Sequence, residues 1–94
     1  MSYNRSMKRY YIIYEGIVQG VGFRWRLMTY ARQLNLSGYC RNLDNGNVEC
    51  VVQGKDVDEF LRLSIKSERF AKVYNWSVKE IPLEPHESDF TVRF

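Results

Sequence analysis

The stretch Glu15-Gly16-Ile17-Val18-Gln19-Gly20-Val21-Gly22-Phe23-Arg24 joins a run of β-formers to a run with helical spacing through three glycines, and it ends on a guanidinium. Glycine admits backbone conformations and close approaches that a Cβ forbids. Three of them ahead of a helix start predict a turn whose amide hydrogens point inward. The helix N-terminus adds unpaired N–H groups and the positive end of a macrodipole. Arg24 can fork onto a phosphate through two parallel hydrogen bonds. The expected anion site is therefore Gln19, Gly20, Val21, Gly22, Phe23 and Arg24, with phosphate as its first ligand. The general glycine motifs do not fit. No Lys-Ser or Lys-Thr follows these glycines as a Walker loop requires, and the third glycine of a dinucleotide fingerprint would fall on Trp25.

Upstream, Tyr10 to Val18 predicts a central strand with Tyr10, Ile12 and Tyr14 on the core side. Downstream, Leu27, Met28, Ala31 and Leu34 recur at helical spacing, so a helix runs from about Gly22 to Leu34, with Asn35 placed for a left-handed C-terminal cap. Tyr39 to Leu43 and Asn47 to Gln53 form a hairpin around Asp44-Asn45-Gly46. Two registers are open. A two-residue Asn-Gly loop sets Arg41 against Cys50, whereas a type I turn with a left-handed Gly46 sets Cys40 against Cys50; the second is preferred. In both, Asn42 shares a face with Cys40.

Asp56 starts a second helix that buries Val57, Phe60, Leu61 and Ile65 and ends near Ser67. Ala71 to Ile81 reads as a strand with an irregularity near Tyr74-Asn75-Trp76. Phe90 to Phe94 reads as a short closing strand with Phe90, Val92 and Phe94 inward. Strand, helix, strand, strand, helix, strand is the split βαβ order of a ferredoxin-like α/β sandwich, an antiparallel sheet with two helices on one face, here with a short C-terminal strand added. Short, right-handed connections put the first and third strands side by side mid-sheet.

Composition narrows the function classes. Ninety-four residues with 45% apolar content make one domain. The division is a basic tail over 1–9, expected to be flexible, and a folded unit over 10–94. Arg5, Lys8 and Arg9 account for the whole net charge of +3. Specific nucleic-acid binding, which needs clustered cations, is not expected. No stretch has the length of a membrane span and no signal core opens the chain, so a cytoplasmic location away from membranes is expected. Cys40, Cys50 and His86 lie too far apart for a zinc motif, so neither metal nor cofactor is expected, and the thiols are expected to be free and buried.

Gly16-x-Val18-Gln19-Gly20-Val21-Gly22-Phe23-Arg24, followed by Gly38-Tyr39-x-x-Asn42-x-Asp44-x-Gly46-x-Val48-Glu49, closely resembles the acylphosphatase family. The resemblance implies a small metal-free hydrolase that cleaves acyl phosphates to carboxylate and inorganic phosphate; a monomer is expected. It also implies that the loop amides and Arg24 hold the phosphoryl group and that Asn42 positions the attacking water. Cys40, Asn35 and Ser67-Glu68-Arg69-Phe70 depart from the usual pattern, but none of these positions is Arg24, Asn42 or a loop glycine.

The residues themselves restrict the reaction. A site of guanidinium, amide and backbone N–H groups can position water and stabilise charge. It has no acid with which to protonate a poor leaving group, so that group must depart as an anion. A carboxylate, with a conjugate-acid pKa of about 4, does so unaided, and an alkoxide does not. The rival reading of a ferredoxin-like sheet is an RNA platform with aromatics on its open face. Asn47-Val48-Glu49-Cys50-Val51-Val52-Gln53 lacks the aromatic, basic character that this requires.

Overall fold

A computed structural model of the chain describes residues 6–94. It consists of β1 (Lys8–Ile17), α1 (Phe23–Gln33), β2 (Ser37–Asn42), β3 (Val48–Gly54), α2 (Val57–Ser64), β4 (Lys72–Ile81) and β5 (Phe90–Arg93). The five strands form one sheet in the order β4-β1-β3-β2-β5. β1 and β3 thus lie side by side inside the sheet, as the short-connection rule requires. The first four strands are mutually antiparallel where they pair, but β5 runs parallel to β2, so the sheet is mixed and not wholly antiparallel. The path of the chain explains this. β4 ends opposite Arg9, at the pole where β1 and β2 both begin, so the connection over 82–89 delivers β5 to the starting end of β2.

Period-two alternation decides which face is covered. Ile12 and Tyr14 of β1, Cys40 of β2 and Val48, Cys50 and Val52 of β3 are fully buried with Phe23, Leu27 and Ala31 of α1 and Val57 and Phe60 of α2. Both helices therefore pack on one sheet face. Each fully buried large aliphatic or phenyl group contributes about 1.5–3 kcal/mol relative to exposure. The phenol of Tyr14 enters this core without an unpaired hydroxyl, because it donates to Ser64 Oγ at 2.7 Å and Ser64 Oγ donates to the Leu61 carbonyl at 2.8 Å.

Local chemistry sets the element ends. Leu36 N–H reaches the Ala31 carbonyl at 2.8 Å and Asn35 N–H the Arg32 carbonyl at 3.2 Å. With Asn35 at φ 56°, this is the Schellman closure expected of an asparagine after the last helical turn. In the hairpin, Leu43 N–H bonds the Asn47 carbonyl and Cys40 pairs with Cys50, the register of the turn with a left-handed Gly46. The irregularity expected in β4 is a bulge: Glu15 pairs with Asn75 and Gly16 with Val73, leaving Tyr74 unpaired.

Several boundaries shift, among them the start of β2, which lies at Ser37, two residues before Tyr39. α2 ends at Ser64 and not near Ser67. β1 begins at Lys8, two residues before Tyr10, because Lys8 and Arg9 already pair with Gly54 and Gln53. Arg9 forks onto the Glu87 carboxylate, and Lys8 Nζ lies 3.8 Å from Asp58; the remaining tail cation, Arg5, lies outside the described residues. Phe94 is 95% exposed and not inward, since the pairing of β5 with β2 ends at Arg93. Among the described residues, no helix is long and apolar enough to cross a membrane.

Cys40 and Cys50 are free, opposite one another and fully buried. Burial pushes the Cys40 thiol up to about 12, with Arg24 opposing weakly, and pushes Cys50 well up. Neither supplies thiolate near neutral pH. Both thiols are expected to resist Ellman's reagent in the native protein and to react fully in denaturant; fast native labelling of either would contradict the burial.

Candidate active site

The glycine loop closes over the end of the sheet where β1 stops and the hairpin turns. Gly20 and Gly22 hold φ of 73° and 77°, and a Cβ on either would meet no atom within 4 Å. Their backbone geometry, not crowding, calls for glycine, and the loop faces open space. Gly22 is the N-cap of α1, and no side chain caps that end. The first helical bond is made by Arg26 N–H to the Gly22 carbonyl at 3.1 Å, so the amides of Phe23, Arg24 and Trp25 before it are open to an external acceptor.

Gln19 fastens this loop to the hairpin. Its side-chain amide donates to the carbonyls of Leu43 and Asn47, each at 2.8 Å. Those two residues flank the hairpin turn and follow Asn42 in the chain. Asn42 lies on the helix-covered side of β2 with Cys40, opposite Val48, and its Oδ1 is buried with no hydrogen-bond partner. A buried acceptor in that state is uncommon and marks a place where a donor is needed. The Cys40 thiol of β2 touches α1 nearby, donating weakly to the Arg24 carbonyl at 3.6 Å.

Arg24 reaches from the first turn of α1 towards the end of β5. One Nη1–H donates to the Arg93 carbonyl at 2.8 Å, and the guanidinium lies 4.8 Å from the Phe94 ring centroid. One of its five N–H donors is thereby committed and its plane is held by the ring. The glycine loop, Arg24 and Asn42 thus come to one end of the molecule. Phe23 differs from its neighbours: its ring is core, packed edge-on against Tyr14 at 5.0 Å, so only its backbone can serve the site. The Trp25 side chain is about half exposed.

The support given by Phe94 and the Arg93 carbonyl is absent from the sequence reading, as is the Gln19 clamp. The only signal was the alternation of the last five residues, which wrongly turned Phe94 inward. Cavity size would also mislead. The larger cavity, about 360 Å³, lies at the opposite pole beside Asn35, Gln53 and Glu87. Its Ser37 and Gln53 side chains are already bonded, to Glu87 and to the Glu84 backbone respectively. A smaller one of about 180 Å³ borders the glycine loop at Val21 and Gly22.

Comparison with known proteins identifies the family. The family model described as acylphosphatase matches residues 10–92. An acylphosphatase of Clostridium beijerinckii is 41% identical over 90 residues, covering 94% of this chain and all of that protein. The crystal structure of acylphosphatase from Bacillus subtilis superposes with a TM-score of 0.87 at 31% identity, covering 93% of this chain and 99% of that one. A segment of HypF from T. kodakarensis, 12% of that protein, superposes over 93% of this chain with a TM-score of 0.79 at 36% identity. With the family model spanning nearly the whole folded unit and a relative matched over its full length, the chain belongs to the acylphosphatase family and is an enzyme of that kind.

Proposed function

We propose that this chain hydrolyses acyl phosphates by holding the phosphoryl group on the amides of Gln19 to Arg24 and on the Arg24 guanidinium while Asn42 Oδ1 orients the attacking water. The observation that carries this reading is the Gln19 clamp, which ties the anion-binding loop to the strand end bearing an unpartnered Asn42 acceptor.

In the step itself, a water oxygen forms a bond to phosphorus and the bond from phosphorus to the acyl oxygen breaks. Its electron pair leaves on the carboxylate, and the water's protons pass to phosphate and solvent. Negative charge spreads over the equatorial oxygens, where fixed N–H donors stabilise it without reorganisation. The carboxylate needs no proton to depart. Arg24 and the helix end supply the positive charge, so the reading requires no metal ion, and inorganic phosphate is both product and competitive ligand.

The test is release of benzoate and phosphate from benzoyl phosphate by protein stripped of metal. We expect turnover that chelator leaves unchanged. Strict dependence on an added divalent ion would replace this mechanism. A cytoplasmic, monomeric enzyme remains the working picture of its setting, checked by fractionation and by mass in solution.

A further inference from the structure

The 180 Å³ cavity beside the glycine loop has no part in the steps above, yet it shares Val21 and Gly22 with the phosphate loop. Its far wall is Glu68, Arg69 and Phe70, from the segment that leads into β4, and Arg26 of α1 closes one side. Asn42 and the Arg24 contacts at Arg93 and Phe94 belong instead to β2 and β5, at the other side of the sheet. The glycine loop lies between these two sides. In phosphoryl transfer the attacking and leaving oxygens are roughly in line across phosphorus. A water held at Asn42 therefore directs the departing acyl arm away from β2, towards this cavity.

Size and charge narrow what the arm can be. About 180 Å³ is the room of about six waters at ~30 Å³ each, enough for a short acyl arm. Val21 and Phe70 supply apolar contact. Arg26 is held in place by donating from Nη2 to the Ser64 and Lys66 carbonyls at 2.8 Å each, and its Nη1 lies 3.6 Å from Glu68. Glu68 also accepts from the Tyr30 hydroxyl at 3.2 Å. Its single carboxylate is thus shared between Arg26 and Tyr30. Arg69 lies over the Phe70 ring at 5.4 Å, and among the described residues it pairs with no carboxylate. Two guanidinium groups against one carboxylate leave the cavity short of an anion.

We propose that this cavity is the acyl-arm subsite, and that Arg69, backed by Arg26, favours acyl phosphates whose arm carries a second anionic group. The proposal rests on the acyl-phosphate reading above and adds to it a substrate class. Arg69 is exposed on a segment without regular structure, so its replacement tests charge with little risk to the fold.

The experiment compares two substrates of matched size, 4-carboxybenzoyl phosphate and 4-methylbenzoyl phosphate, by the ratio of their kcat/KM values. The wild type is expected to prefer the carboxylated substrate. Arg69→Ala should lower the ratio about fivefold, the upper range for an exposed ion pair, through KM and not kcat. Glu68→Gln should raise the ratio, since it removes the one competing carboxylate. A ratio unmoved by both variants, with hydrolysis of both substrates intact, would overturn the subsite and leave the hydrolase reading standing. Failure of the wild type to hydrolyse either substrate would overturn the hydrolase reading and the subsite with it.

Discussion

Arg24→Ala is expected to lower kcat/KM for benzoyl phosphate by about 10³-fold, the upper range for loss of one preorganised donor to a developing oxyanion. Inorganic phosphate should cease to inhibit at concentrations that inhibit the wild type. Both effects follow from the proposed role of one group binding the phosphoryl oxygens before and during transfer. Arg24→Lys sharpens the test. A lysine restores the charge but not the planar fork, and it cannot share the Phe94 ring and the Arg93 carbonyl in the same way. It should recover part of the phosphate inhibition and little of the turnover. The fold should be unaffected, because the guanidinium makes a single exposed hydrogen bond to the Arg93 carbonyl and one ring contact. If Arg24→Ala kept phosphate inhibition at wild-type strength, the anion would be held by the amides alone and the role given to Arg24 would be wrong.

What the sequence disclosed depended on how local the determining physics was. The loop, Arg24 and Asn42 were legible because glycine spacing, helix onset and strand parity are short-range: Gly20 and Gly22 do adopt positive φ, and Asn42 does share the face of Cys40. Asn35 was legible for the same reason, since a left-handed cap involves only the last helical turn. The direction of β5 was not legible, because it depends on where β4 ends in space. Phe94 was misplaced because alternation holds only while a strand is paired, and pairing stops at Arg93. Gln19 read as one more loop amide. Its side chain bonds carbonyls 24 and 28 residues away, a partnership that no local pattern encodes. The residues of the proposed subsite, Glu68, Arg69 and Phe70, carried no motif at all, and the proposal rests on their lying across a cavity from Val21 and Gly22.

Asn42→Ala should separate water positioning from phosphoryl binding and, in the same protein, activity from stability. Turnover should fall about 10²-fold, the scale associated with misplacing a reacting group by about 1 Å. Inhibition by inorganic phosphate should stay near the wild-type level, because the nucleophile is not part of the bound anion. The loss should therefore appear in kcat and not in phosphate affinity. Stability should change little. No protein group bonds the Asn42 Oδ1, so alanine breaks no bond of the fold at that atom and loses only some packing. A variant about 10²-fold slower, yet melting close to the wild type, is what a residue kept for chemistry and not for the fold would give. Urea titration and thermal melts of the two proteins supply the stability readout, and benzoyl phosphate kinetics with a phosphate inhibition series supply the other. A clear fall in melting temperature with unchanged kcat would make Asn42 a hairpin residue bonding its own turn, and the water would need another holder.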